Sequence, residues 1–233
     1  MHANEIVLTE VDSTMAEAAR RAPELAGPTW VLALNQTAAR GRRGRPWRHP
    51  SGNFAATLVM ESPPPAQAAL RSFVAALALY DTFEALSVDR LALKWPNDVL
   101  VGGAKVAGIL LESLATGHLS IGIGINLRVP PDASEVEEGA VLPVALGVSE
   151  TPEQVLGILN PAFAKWEHQL ATLGFAPIRE AWLARAAKVG EVIRARTASE
   201  THVGTFETID MDGQLVLSTA EGRLTIPAAD VYF

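Results

Sequence analysis

Hydrophobic and polar positions along the 233 residues change period several times, and the changes divide the chain into elements. A short strand-like run, Glu5–Leu8, leads into Asp12-Ser13-Thr14. Thr14-Met15-Ala16-Glu17 then fits a capping box, which predicts a helix that stops near Pro23. Thr29–Leu34 is β-rich and almost wholly apolar, as a strand buried on both faces would be. Asn53–Met60 repeats that signature after the 17 polar, Gly- and Arg-rich residues of Gln36–Gly52. Pro63-Pro64-Pro65 interrupts the chain, and an amphipathic helix is predicted over Ala66–Leu86. Leu91–Lys94 reads as a strand, and Val99–Val101 and Lys105–Leu111 as a hairpin turning at Gly102-Gly103. A second hairpin turns at Thr116-Gly117 and enters the strand Leu119–Leu127. Helical periodicity returns over Pro152–Leu173 and Pro177–Ala187.

From Lys188 the period falls to two. Glu191–Thr197, His202–Ile209, Gln214–Ser218 and Arg223–Ile226 are short strands joined by tight turns such as Asp212-Gly213. The reading is α+β followed by a small all-β unit, divided as residues 1–187 and 188–233.

Composition narrows the function. Nineteen basic against 26 acidic residues give a net charge of −7, which argues against a whole-protein grip on nucleic acid or an anionic membrane. The absence of Cys excludes disulfides, Cys-ligated zinc, iron–sulfur clusters and a cysteine nucleophile. The N-terminal residues lack the basic-then-apolar order of a secretory signal, and no uncharged apolar run reaches about 18 residues. The expectation is a soluble, cytoplasmic protein.

Three segments stand out chemically. Ala39–Arg48 holds five arginines (40, 42, 43, 45 and 48) interleaved with Gly41 and Gly44. Glycines admit a close approach of backbone amides to an anion while guanidinium forks bind its oxygens, so the segment points to phosphate or carboxylate binding. A solvated basic loop or a nucleic-acid patch is the competing reading. Ordering such a loop costs about 1–2 kcal/mol per residue, with few apolar side chains to offset it. An anionic ligand is therefore expected to order it.

Lys94-Trp95-Pro96-Asn97-Asp98 reads residue by residue as a solvent-side lysine, a core tryptophan and a capped turn. Lys105, set within VGGAKVAGILL, is harder to explain structurally. Ile121-Gly122-Ile123-Gly124-Ile125-Asn126 is either a core strand with closely packed glycines or a platform for a flat ligand, with Asn126 offering an amide. The five histidines (2, 49, 118, 168 and 202) have no metal-ligand spacing.

Taken together, Asp12-Ser13-Thr14, Gln36, Arg40-Gly41-Arg42-Arg43-Gly44-Arg45-x-Trp47, Lys94–Asp98, Lys105-x-Ala107-Gly108 and Gly122-x-Gly124-Ile125-Asn126 resemble the biotin–protein ligases. The resemblance implies a class II synthetase-like catalytic fold with a mixed sheet and flanking helices, and a small C-terminal SH3-like β-barrel. It also implies a reaction in which biotin is activated by Mg-ATP as biotinyl-5′-AMP and transferred to a lysine of a biotin carboxyl carrier domain. By the same resemblance, Ser13, Thr14 and Gln36 face the ureido ring, while Arg40, Gly41, Arg42 and Gly108 lie at the biotin. Lys105 and Arg40 are the catalytic cations. Arg42, Arg43, Arg45, Trp47, Asn97, Lys105 and Asn126 serve the nucleotide, and Asp98 the Mg²⁺. Two positions depart from the family pattern: Met15 replaces an Asn, and Ala39 a Gly. Since Asp12 comes so early, the expected form is enzyme-only, a monomer or homodimer without DNA binding. A lipoate–protein ligase, and a non-catalytic ligand- or nucleic-acid-binding module built on Arg40–Arg48, are the alternatives.

Overall fold

A computed structural model describes residues 3–41, 44–45, 47, 50–132, 134 and 140–233. Two sheets, five α-helices and a short 3-10 helix (Ala22–Glu24) are formed by the described residues. The larger sheet runs β1-β2-β3-β7-β6-β5-β4, with β1 Asn4–Val11, β2 Thr29–Gln36, β3 Phe54–Glu61, β4 Leu91–Lys94, β5 Asp98–Val101, β6 Ala104–Ser113 and β7 His118–Ile125. Only β1 and β2 pair in parallel, so the sheet is mixed, as expected.

β3 (FAATLVME) is buried at every position but Glu61, because α1 (Thr14–Arg21) packs on one side and α4 (Pro152–Leu173) on the other. A strand covered on both faces needs a continuous apolar run rather than an alternating one. Gly102 and Gly103 turn the β5–β6 hairpin with φ of +58° and +85°, values that only glycine adopts without strain.

Three local readings differ from the structure. The capping box at Thr14 does not form. Ser13 is the N-cap and makes no side-chain cap bond, while the Thr14 hydroxyl is buried and accepts from Thr57 Oγ1 at 2.9 Å. Glu17 instead pairs with Arg20 at 2.7 Å and Arg21 at 2.5 Å. The helix expected over Ala66–Leu86 is two helices, α2 (Pro65–Ala68) and α3 (Arg71–Ala85). The break comes where the Gln67 carbonyl accepts from both Leu70 N and the Arg71 guanidinium. Arg71 is drawn inward to a buried pair with Glu167 of α4, at 2.6 Å. Finally, α5 spans Phe175–Leu183 rather than Pro177–Ala187. It ends early because the Arg185 carbonyl and Ala187 amide bond Leu93 of β4, the edge strand.

The C-terminal sheet is antiparallel, ordered β11-β10-β9-β8-β12, with β8 Val192–Arg196, β9 Thr201–Ile209, β10 Leu215–Thr219, β11 Gly222–Ile226 and β12 Asp230–Tyr232. Four of these strands match the sequence reading. β12, only three residues long, gave no periodic signal. Ile193, Phe206, Leu215 and Val231 belong to the same continuous apolar core as Trp30, Phe73 and Trp182. The Asp210–Gln214 turn docks against the larger unit. Trp95 Nε1 donates to the Gly213 carbonyl at 3.0 Å, and a Cβ at Gly213 would lie 2.6 Å from the Phe73 ring. No described helix is long and apolar enough to cross a membrane.

Candidate functional site

A cavity of about 750 Å³ opens where β6, β7 and the β4–β5 turn meet the 39–47 segment and β12. Every described residue that the sequence reading placed in a site lines it: Ser13, Thr14, Gln36, Arg40, Gly41, Arg45, Trp47, Asn97, Asp98, Lys105, Gly108 and Asn126. Arg42 and Arg43 lie outside the described residues, as does much of the loop whose ordering by a ligand was expected.

The floor is built from the sheet. β6 and β7 pair through Gly108–Gly124 and Leu110–Gly122, so three glycines lie side by side beneath the cavity. A Cβ on Gly124 would fall 2.5 Å from the Trp47 indole, on Gly108 3.2 Å from the same ring, and on Gly122 2.6 Å from the Met15 sulfur. The glycines thus admit both protein side chains and a flat surface, and the flat group seated on Gly124 is the protein's own Trp47. Met15, one of the departures from the family pattern, fills the space over Gly122.

Charge is concentrated beside this floor. Lys105 Nζ is 2.6 Å from Asp98 Oδ1 and 5.6 Å from the centre of the Trp47 ring. Lys94 Nζ is 3.6 Å from Asp98 Oδ2. One carboxylate therefore sits between two ammonium groups. Lys94 is buried, at 8% exposure, not on the solvent side of its strand. Its pKa is lowered from the ordinary lysine value, mainly by loss of hydration, with Asp98 opposing the shift and Lys105 adding to it. Phe233 packs its ring 5.7 Å from the Lys94 ammonium, so the end of the chain helps to bury it.

The far wall is set by backbone bonds. Asn97 Nδ2 donates to the Ile109 carbonyl at 2.7 Å, and Ile109 N donates back to the Asn97 carbonyl at 2.9 Å, which ties the β4–β5 turn to β6. The stretch 141–148, for which no element was expected, runs beside the site, with Lys105 N donating to the Leu142 carbonyl and Val144 N to the Lys105 carbonyl, both at 2.8 Å. Asn126 is 1% exposed, lines the cavity, and its Oδ1 has no hydrogen-bond partner among the described residues. A buried acceptor left unpaired costs about 1–3 kcal/mol, which a donor on a ligand would recover.

At the opposite end, Thr14 N donates to Gln36 Oε1 at 2.7 Å, which leaves the Gln36 NH₂ as the group it can offer a ligand. Asp12 fixes the same corner. It accepts from Ser13 N at 2.8 Å and from both terminal nitrogens of Arg20, which hold its pKa down at about 2.

Around the rim, exposed arginines reach acidic partners. Arg40 is 2.8 Å from Glu112 on β6, and Arg45 is 2.9 Å from Asp230 on β12. Arg196, Asp230, Val231 and Tyr232 of the C-terminal sheet line the cavity too. Sequence reasoning missed them, as it did Lys94, because each lies far along the chain from the arginine segment. Only the strands' alternation, which turns Arg194 and Arg196 to one face of β8, hinted at a role.

Among the described residues no three His, Asp or Glu side chains gather to hold a metal ion. Asp98, the residue expected at Mg²⁺, pairs with Lys94 and Lys105. Among the described residues this arrangement does not fit a protein-held metal centre.

Comparison with known proteins agrees with this arrangement. A model of the Biotin/lipoate A/B protein ligase family matches residues 7–126, and one of the biotin protein ligase C-terminal domain matches residues 189–233. The chain is 54% identical to a biotin–[acetyl-CoA-carboxylase] ligase of Paracoccus denitrificans over 97% of this chain and 99% of that one. It is 34% identical to the bifunctional ligase/repressor BirA of Bacillus subtilis, over 97% of this chain and 71% of that one. In fold it matches a biotin protein ligase from Aquifex aeolicus, solved in complex with biotin and ATP, with a TM-score of 0.84 at 23% identity over 98% and 97% of the two chains. With the family model matching residues 7–126, the C-terminal model 189–233 and a 54% identical relative covered almost end to end, the chain belongs to the Biotin/lipoate A/B protein ligase family.

Proposed function

We propose that the protein is an ATP-dependent ligase that activates biotin as biotinyl-5′-AMP and transfers it to a lysine of a biotin carboxyl carrier domain in the cytoplasm. The observation that carries the reading is one cavity of about 750 Å³ with a lysine at its floor, arginines at its rim and a buried amide oxygen that has no partner among the described residues. That volume lies within the range of small-molecule sites. Its ends differ in chemistry: neutral hydrogen-bonding groups (Ser13, Thr14, Gln36) at one, cations in the middle, and Asn126 at the other. A ligand with a ureido head, an anionic centre and a purine matches that order.

In the first step a carboxylate oxygen of biotin attacks the α-phosphorus of ATP, the bond to the bridging oxygen breaks, and pyrophosphate leaves. Two anions must approach each other, so cations fixed in advance lower the barrier more than any proton donor would. In this reading Lys105, 2.6 Å from Asp98, serves that task, and Arg40 brackets the carboxylate from the rim. In the second step the acceptor lysine, as the free amine, attacks the acyl carbon. The acyl–oxygen bond breaks, AMP leaves with the bonding pair, and the amine proton passes to solvent. Lys105 and Arg40 again offset the charge, now on AMP. Mg²⁺ enters as part of the nucleotide substrate, in keeping with its habit of binding through phosphates and water. The larger unit, residues 1–187, would then hold both ligands, and residues 188–233 would complete the rim.

Biotin-dependent ATP–pyrophosphate exchange tests the reading, with lipoate as the parallel substrate. Exchange with biotin is the expected result. Exchange with lipoate alone would void the ureido assignments, and exchange with neither would remove the adenylating step.

A further inference from the structure

Met15 stands where the family pattern carries an Asn, and a thioether has no part in the two-step chemistry. It is the second residue of α1 and only 4% exposed, yet it lines the cavity. The turn that carries it is pinned to two strands. Thr14 N donates to Gln36 Oε1 of β2 at 2.7 Å, and Thr57 Oγ1 of β3 donates to Thr14 Oγ1 at 2.9 Å. The Met15 side chain reaches from there to β7, where a Cβ on Gly122 would lie 2.6 Å from its sulfur and 3.1 Å from its Cγ. Met15 therefore closes the space over the first glycine of the floor.

The order of groups along the floor gives that wall a place in the site. Gly122 and Gly124 are two residues apart on β7, about 7 Å, with Met15 over one and Trp47 over the other. Gly108 pairs with Gly124, and a Cβ on it would be 3.4 Å from Lys105 Nζ. The neutral hydrogen-bonding groups Ser13, Thr14 and Gln36 adjoin Met15, and the lysine lies at the other end. A biotin that turns its ureido ring to those groups and its carboxylate to Lys105 lays its sulfur-containing ring between them, beside Met15 and Gly122.

We propose that Met15 is a specificity-determining residue, packing on the sulfur-containing ring of biotin and selecting it over dethiobiotin, the ring-opened analogue without sulfur. This rests on the reading of the cavity as a biotin site. A thioether wall is apolar and polarisable, so a closed, rigid ring gains more dispersion contacts from it than an open chain does. Gly122 is what admits the wall, since a side chain there would push the sulfur out of its place. The competing reading is that Met15 only fills the core between α1 and β7, which predicts equal losses for both ligands.

The test measures Kd for biotin and for dethiobiotin by calorimetry, and kcat by biotin-dependent pyrophosphate exchange, in wild-type, M15A, M15L, G122A and M15A/G122A proteins, with Tm as the control for folding. M15A should raise the Kd for biotin about tenfold and that for dethiobiotin less than about threefold. Its kcat should change less than about twofold, because the contact is the same in ground and transition states. M15L keeps an apolar wall of similar volume and should recover most of the loss. G122A reaches the same wall without emptying the core. It should raise the biotin Kd about three- to fivefold and lower the preference over dethiobiotin, which decides the proposal even where M15A folds poorly. In the M15A background G122A should add less than about twofold, because the atom it would strike is gone. A wild type without preference, equal losses for the two ligands, an unchanged biotin Kd in folded M15A, or a full G122A loss in the double variant would each overturn the proposal. If the wild-type protein binds neither ligand and shows no exchange, the functional reading fails instead, and the two failures are distinct.

Discussion

The floor and the rim of the cavity use opposite means to hold their side chains. The floor is sheet. Lys105, Gly108, Gly124 and Asn126 stand on two hydrogen-bonded strands, backed by the buried Val106, Ala107, Ile123 and Ile125. The rim is charge. Arg40, Arg45 and Arg196 are exposed or half-exposed and take their positions from carboxylates on β6 and β12. A packed, hydrogen-bonded floor keeps its geometry to within the tolerance of the core, whereas pairs in water contribute about 0–1 kcal/mol each and are screened by salt. The floor therefore holds a fixed geometry, and the rim is free to adjust.

The contrast breaks most severely where its foundation is removed. Glu167→Ala leaves Arg71 charged and buried between α3 and α4, and should cost about 3–5 kcal/mol of stability in denaturant unfolding. A loss below about 1 kcal/mol would mean that the two helices do not rely on this pair. Next in size is Lys105→Ala. Asp98 keeps Lys94 as a partner at 3.6 Å, so the fold should survive, while biotin-dependent exchange falls by at least about a hundredfold. Near-normal exchange would take Lys105 out of the mechanism.

A smaller effect separates the two ends of the floor. Gly124→Ala drives a methyl group into the Trp47 indole, a rigid ring, and should weaken exchange about tenfold by displacing it. Gly122→Ala meets the Met15 sulfur, which has rotatable bonds to move it away, and should cost less. Equal losses would show that backbone strain, not the neighbours, sets the cost.

The smallest effect is electrostatic. Lys94 has its pKa lowered in the folded state, so between that value and the ordinary lysine value near 10.4 the unfolded chain binds more protons. Stability should therefore gain from this group as pH rises through that window, and the lysine's cost is fully present below it. Lys94→Met should flatten the rise in an unfolding series from neutral to alkaline pH. A parallel curve would mean that Asp98 compensates the burial completely.

Much of this was legible before any fold was known. The buried strands Thr29–Leu34 and Asn53–Met60, the helix Pro152–Leu173 and the glycine-turned hairpin follow from period and turn chemistry, which are local. The arginine segment and Lys105 were legible because unusual residue types sat at short spacings, arginines among glycines and a lysine among aliphatics, whereas Ser13, Thr14, Gln36 and Asn97 were named only through the family resemblance. The misreadings have local causes with distant origins. Thr14 gave up its capping role to Thr57, the long helix broke where Arg71 turned to Glu167, and α5 gave its last residues to β4.

The amino-acid sequence by itself therefore determined most of the elements and the Lys105 and arginine cations that meet in the cavity, since each depends on neighbours within a few positions. Only the tertiary structure decided that Lys94 is buried, that Trp47 lies on Gly124, that Asn126 Oδ1 has no hydrogen-bond partner among the described residues, and that Asp230 of β12 meets Arg45 at the rim. Those facts depend on which side chains from remote segments share a volume. Packing, desolvation and charge pairing act through space, and no periodicity along the chain records them.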